Sequence, residues 1–415
     1  MKGKLMKESY SLSGVSILTG DSFLENSSIK INQSKIEDIG TLSSNNIKIK
    51  DNLYLYPAII NVHDHFRGNY LPKVGPKNGN FYLNWSYWDS DLKSAPVYEE
   101  REKNTVEDLY TLSMYKNIFA GVVTVNDHYP HALNEQYISH MPIRLIQNYA
   151  IIHAVSSFAL KWGDSLKVEH KRAVENNFPF ITHCAEGFDE ETQSAIKTLE
   201  KNKCLDDHDV LIHCIGFSDE DIKKVQKVGA TIVWCPGSNM YMFNVTCKIK
   251  KILEAHINVC IGTDSTHSGS INILEEIRFA REVYLKMYKE EISPETIYKM
   301  VTINPARAFR IQPDVGTLEN GKQADLLLIK PGDQDPYKAF VNLQMEDIEL
   351  LTCKGNPVYG ALEYEKLFKG RGVEYTKIIV KKKKKLIVGD PVGLMKRIRK
   401  KVGFEKVFDF IPLDN

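Results

Sequence analysis

The stretch from Phe178 to Pro236, "FPFITHCAEGFDEETQSAIKTLEKNKCLDDHDVLIHCIGFSDEDIKKVQKVGATIVWCP", decides the fold. Its apolar runs "FPFITH", "DVLIHC" and "ATIVWCP" read as buried strands, and the segments between them, "FDEETQSAIKTLEKN" and "SDEDIKKVQKVG", carry helical spacing. In the second helix Ser218 is the N-cap and Gly229 the stop, because a serine hydroxyl satisfies a free N–H and glycine tolerates the left-handed exit. The alternation extends outward to "PAIINVHDH" and "GVVTVN" upstream, to "IRLIQNYAIIH" (Ile143 to His153), and to "NVCIGTD" downstream. Strand, helix and parallel strand repeated this often predict an α/β chain with a TIM-like (β/α) barrel over residues 57–312. Between Asn126 and His183 only one strand is legible where a full barrel needs two, so the barrel is expected to be distorted.

The flanks differ. Residues 1–56 hold short alternating strands with turn residues between them, "GVSILTG", "SIKINQSKIEDIG" and "NIKIKDNLYLYP", too little antiparallel material to stand alone. Matching material follows Pro313 in "VGTLENGKQADLLLIKPG" and "EDIELLTCKGNPVYG". Residues 1–56 and 313–415 are therefore expected to form one small β-sandwich domain from both chain ends, the latter with a C-terminal extension. The run Lys381 to Lys385 reads as a hairpin edge where charge blocks further pairing.

Lys and Arg number 54 against 53 Asp and Glu, which gives no electrostatic reason to expect a nucleic acid or a membrane and leaves a small molecule as the partner. A homodimer is the one protein partnership left open. The seven cysteines are odd in number and scattered through apolar runs, which suits reduced thiols in the cytoplasm. The first residues, "MKGKLMKESYSLSG", lack the apolar core of a signal peptide.

In a barrel of this kind chemistry sits where strands end. The strand runs end at His63 and His65, at His183, at His213 and at Asp264, so these side chains would converge on one mouth. His-x-His on an extended strand puts both rings on one side, and neutral imidazoles with a carboxylate are the donors a divalent ion prefers.

The motifs "PAIINVHDH", "ITHCAEG", "LIHCIGFSDEDIKKVQKVGATIVWCPGSN", "IGTDSTHSGS" and "TINPARAFRIQPDVGTLENGKQADLLLI" resemble, in order and style, the amidohydrolase superfamily, most of all its chlorohydrolases, guanine deaminases and adenosylhomocysteine-type deaminases. The resemblance runs from about Gly14 to Ile329. It implies that His63, His65, His183 and Asp264 bind one divalent metal, Zn²⁺ or Fe²⁺, that Glu186 shuttles a proton, and that His213 orients water or substrate and stabilises the intermediate. Asp264 would also help to deprotonate the water. It further implies a hydrolase acting on carbon–nitrogen bonds other than peptide bonds: hydrolytic deamination of a heterocyclic or aromatic amine, or alternatively hydrolysis of a cyclic amide or another carbon–nitrogen bond. A catalytically silent binding homologue would be expected to have lost a ligand, and none is lost.

Around this set, Arg67, Trp85, Trp88, His128 and His153 are candidates for substrate contact. The aromatic segment from Arg67 to Glu102 reads as a long loop forming a substrate wall or a subunit contact. His267 is expected to line the mouth. Lys161 is the nearest candidate for a bridging lysine of a two-metal site, and His140, His170, His208 and His256 read as surface residues.

Overall fold

The computed structural model describes residues 8–76 and 79–413; the opening stretch up to Lys7 and two positions of the aromatic segment lie outside the described residues. Eight parallel strands form two sheets. One sheet runs Ile59–Asp64, Val122–Asp127, Arg144–Leu145, and the other Ala150–Ala154, Phe180–Cys184, Asp209–His213, Thr231–Trp234, Val259–Ile261. At one junction the Asp264 amide donates to the His63 carbonyl at 3.0 Å, so the end of the last strand lies against the end of the first. Ile60, Val62, Ile151, Ile181, Val210, Ile212, Val233 and Cys260, drawn from both sheets, pack into one enclosed apolar cluster.

The run Ile143 to His153, expected to be one strand, is two. Arg144–Leu145 pairs with Val122–Asp127, and Ala150–Ala154 pairs with Phe180–Cys184. The polar break Gln147-Asn148 lies between them, and the Ala150 amide turns instead to the Pro179 carbonyl at 2.9 Å. The helix after His213 spans Asp219–Val228 with Ser218 and Asp221 in a reciprocal capping box and Gly229 at φ +81°.

Strands from both chain ends meet in one ten-stranded mixed sheet. The joint is the antiparallel pairing of Leu326–Ile329 with Tyr54–Pro57, and the latter runs straight into Ile59–Asp64, so the sheet fixes the start of the strand that carries His63. Tyr375–Val380 and Lys383–Val388 form the expected hairpin at the sheet's edge, but the lysines divide. Lys381 and Lys382 make the turn at φ +45° and +68°, whereas Lys385 is buried, its ammonium donating to the Ile348 carbonyl at 2.6 Å. The edge strand is Tyr375–Val380, so edge protection is not what Lys385 does.

No described helix is long and apolar enough to cross a membrane. All seven cysteines are free and buried.

Candidate active site

The ends of the parallel strands bring His63, His65, His183, His213, Glu186 and Asp264 together. The ring nitrogens of His63, His65 and His183 lie within 4.8 Å of one another, as do donor atoms of His63, His213 and Asp264, and of His183, Glu186 and His213. His65 Nε2 stands 3.4 Å and His63 Nε2 3.8 Å from Asp264 Oδ1.

Alternation alone does not build this mouth. Val210 and Ile212 belong to the enclosed cluster, whereas Leu211 packs in a separate apolar cluster with Ile222 and Val225 of the following helix, so strict alternation would send His213 outward with Leu211. His213 instead has φ +71° and Asp264 φ +54°, left-handed conformations that cost non-glycine residues free energy. These kinks turn both side chains into the site.

Hydrogen bonds fix which nitrogen each ring presents. His183 Nδ1 lies 2.6 Å from the His153 carbonyl, which can only accept, so Nδ1 carries the proton and Nε2 faces the site. His213 Nδ1 lies 2.9 Å from Asn239 Oδ1, whose amide nitrogen donates to Thr246 Oγ1 at 3.0 Å. The Trp234 indole N–H donates to the same Thr246 oxygen at 2.8 Å. This relay leaves His213 Nε2 as a lone-pair donor directed at the site, 3.5 Å from Glu186 Oε1.

His63 is fully buried with both ring nitrogens unpartnered, an arrangement that costs free energy unless something else satisfies it. Burial holds the His63 and His183 imidazoles well below the ordinary histidine range, so both are neutral, the form that ligates. Burial raises the Asp264 carboxyl, but the imidazoles of His65 and His213 outweigh it and hold the group below its ordinary range. Glu186 goes the other way: burial, with Asp264 behind it, holds its carboxyl well above the usual value. One carboxylate kept ionised and a neighbour kept ready to hold a proton are the pairing that acid–base chemistry needs. Three imidazoles and a carboxylate fit a divalent ion.

Beside these groups lies a cavity of about 200 Å³ whose wall includes Arg67, Trp85, Trp88, His153, Trp162 and His267. The Trp85 ring lies 4.4 Å from that of His153, inclined at 60°, and Trp88 lies 4.8 Å from His267 while its indole N–H donates to the Val74 carbonyl. The aromatic segment is not the single loop expected: Asn84 caps a helix over Trp85–Lys93, and a second helix spans Pro96–Glu102. It is strapped to the Glu186 loop, with the Trp85 amide donating to the Glu186 carbonyl and the Phe188 amide to that of Leu83. His128 is different. It is fully buried behind the site, 4.3 Å from the His183 ring, and is not part of the cavity wall. Lys161 is exposed, which removes it as a bridging residue. His170, read as a surface residue, is buried.

Sequence reasoning missed Asn239, Trp162 and Lys116. The buried Lys116 ammonium lies 3.0 Å from Asp64 Oδ1 and 2.9 Å from Asn69 Oδ1, and 3.5 Å from the Asp264 carbonyl. A lysine inside the apolar helix "VEDLYTLSMYKNIF" was the available signal.

Residues 164–362 match the amidohydrolase family. The 5-methylthioadenosine/S-adenosylhomocysteine deaminase of Pyrococcus abyssi is 32% identical over 176 residues, 40% of this chain and 41% of that protein. The chain thus spans less than half the length of that relative. The deaminase of the same name from Thermodesulfovibrio yellowstonii is 24% identical over 393 residues, 81% of this chain and 89% of that protein. Among solved structures, an adenosine deaminase from Xanthomonas campestris with bound zinc superposes with a TM-score of 0.72 at 17% identity, covering 94% of this chain and 97% of its own, and so shares the fold. The matched region supplies His183, Glu186, His213 and Asp264, so the similarity to the amidohydrolase family covers the same residues as the motifs that carry the resemblance.

Proposed function

We propose that the protein is a metal-dependent hydrolase that deaminates a heterocyclic or aromatic amine of small size in the cytoplasm. The observation that carries the reading is the convergence of His63, His65, His183 and Asp264 beside Glu186 and His213 at one wall of an aromatic cavity. The two parallel sheets are taken as the staves of a distorted (β/α) barrel over residues 57–312, with residues 1–56 and 313–415 as the terminal β-sandwich domain and its extension. The free, buried cysteines support the compartment.

His63, His65, His183 and Asp264 would hold one Zn²⁺ or Fe²⁺. Such an ion lowers the pKa of its water from 15.7 toward about 7. The chain's own residues do the rest. His213 Nε2, its partner nitrogen fixed by Asn239, accepts a hydrogen bond from the attacking water and orients it. Glu186, 3.5 Å away, takes a proton and passes it to the departing amine. Asp264 is held by the Ser265 amide and the Ser268 hydroxyl, both at 2.8 Å, and shares in deprotonating the water. Trp85, Trp88 and Trp162 line the cavity that a flat ring would enter, and Arg67, also in its wall, donates to the Tyr129 hydroxyl at 3.2 Å. Exposed Phe81, Leu83 and Tyr87 on the same segment support a homodimer contact outside the cavity.

The test is release of ammonia from purines, pyrimidines, pterins and triazines by metal-loaded protein. Turnover of one of these supports the reading. A ring-opened acid without ammonia moves it to cyclic amides, and no turnover on any amine or amide overturns it.

Two further results are expected. Elemental analysis of protein purified without added metal should find about one tightly held ion per chain, and His63→Asn combined with His65→Asn should remove it. Trp85→Ala should raise KM about tenfold or more with metal content unchanged, since the proposed ligands lie on or just past the strand ends and the tryptophan on a separate helix. Unchanged kinetics together with an altered oligomeric state would assign Trp85 to a subunit contact instead.

A further inference from the structure

A second cluster of metal-type donors lies at the opposite ends of the strands. His170 is on the helix Leu166–Asn176, and Asp206 and Asp209 flank the turn into the strand Asp209–His213. His170 Nε2 stands 3.3 Å from Asp206 Oδ2 and 3.9 Å from Asp209 Oδ1, and the three donor atoms lie within 4.8 Å of one another. Since Asp209 begins the strand that His213 ends, roughly 13 Å of strand separates the cluster from the catalytic mouth.

Two of its atoms lack hydrogen-bond partners. His170 is 6% exposed, its Nε2 in ion-pair range of Asp206 but outside hydrogen-bonding geometry, and Asp209 is fully buried with Oδ1 unpartnered. The other Asp209 oxygen accepts from the Asp206 amide at 2.8 Å, so the orphan is one oxygen directed at the gap. Arg310 is engaged with Asp207 at 3.1 Å, and His208 Nδ1 lies 3.2 Å from the Asp206 oxygen that does not face His170, which leaves Asp206 Oδ2 directed at the gap. Burial holds the Asp209 carboxyl well above its ordinary range, so without a cation beside it the group keeps a proton, which an entering ion would displace. Donors held about 2.0–2.2 Å from one ion lie roughly 3.3 Å apart when tetrahedral; the His170–Asp206 pair already has that spacing, and Asp209, at 3.9 Å from His170, would move inward by about half an ångström. Asp206 is the partly exposed member and gives the ion a way in, with water completing the shell.

We propose that His170, Asp206 and Asp209 form a second, structural site for a divalent cation of the Zn²⁺, Co²⁺ or Mn²⁺ type, stapling the helix before one parallel strand to the start of the next. With only three protein donors it binds more weakly than the catalytic set and fills when free metal is supplied. The alternative arrangement is a protonated His170 bridging the two carboxylates, in which no metal takes part.

Titration of metal-stripped full-length protein with Zn²⁺, followed by elemental analysis and thermal melting, separates the two. The wild type should take up two ions per chain, and His63→Asn with His65→Asn should take up one. His170→Gln should also take up one, and the combined variant none. Filling of the second site should raise the melting temperature by about 2–4 °C in the catalytic-ligand variant, and His170→Gln should abolish that rise. Because Asp209 is buried and Asp209→Asn could misfold, Asp206→Asn at the exposed edge is the second variant and should weaken uptake at least tenfold. Unchanged uptake and an unchanged melting shift in both His170→Gln and Asp206→Asn would overturn the proposal, as would a catalytic-ligand variant that binds no ion. Failure of the catalytic reading shows separately, as a count that His63→Asn with His65→Asn leaves untouched.

Discussion

Glu186→Gln is expected to keep the fold and the metal while lowering turnover by about 10² to 10⁴, the usual worth of general acid–base catalysis. Glutamine matches glutamate in shape, so the strap from the Trp85 amide to the residue 186 carbonyl survives, and with it the cavity wall. What is lost is the ability to hold a proton. The native carboxyl is suited to that task because burial, with Asp264 behind it, raises its pKa, which makes it a better proton acceptor than an ordinary surface carboxylate. A glutamate that only opened a short helix would behave otherwise, since a charge near a helix N-terminus is worth no more than about 1 kcal/mol when exposed. Steady-state kinetics and metal content on this one variant decide between the roles. Activity within about threefold of wild type would remove Glu186 from the mechanism, whereas a large fall in kcat with metal retained would place it there.

The convergence of these side chains was legible because each closes a strand that the apolar pattern already marked: His63 after "PAIINV", His183 after "FPFIT", Asp264 after "NVCIGT". Polar residues at buried strand ends stand out against that background. The second strand inside Ile143 to His153 did not, because Arg144–Leu145 is two residues long and leaves no periodicity to count. Helices in the segment after His65 were hidden by aromatics and prolines that read as loop, although "NWSYWDSDLK" carries an Asn N-cap. The polar relay behind His213 was out of reach for a different reason. Asn239, Thr246 and Trp234 meet only through tertiary folding, and a single sequence records no distances. His170 was misread because a histidine in "LKVEHKRAVEN" sits among charges, and only the packed helix shows that its face turns inward.

Lys116→Met is expected to cost about 3–5 kcal/mol of stability and to loosen the metal site at the same time. Lys116 and Asp64 are both fully buried and 3.0 Å apart, and removing one partner of a buried pair leaves the other charge uncompensated. Asp64 keeps its amide donors, Asn69 at 2.8 Å and Asn117 at 2.9 Å, but hydrogen bonds from neutral amides do not replace a full charge in a buried setting. The position matters as much as the energy. Asp64 lies between His63 and His65, and the same ammonium reaches the Thr263 hydroxyl at 3.3 Å and the Asp264 carbonyl at 3.5 Å, so one cation ties the first and last parallel strands together just behind three of the proposed ligands. A lysine that merely filled space would show up in melting alone. A brace for the ligands would also weaken metal retention, read as faster loss of the ion to a chelator at a temperature where the variant is still folded. Pairing the change with Asp64→Asn separates charge from packing: with the orphan charge gone, the double variant should recover at least 1 kcal/mol relative to Lys116→Met alone. A single variant that melts within 1 °C of wild type and holds its metal equally well would show that the pair does not hold the strand ends in register.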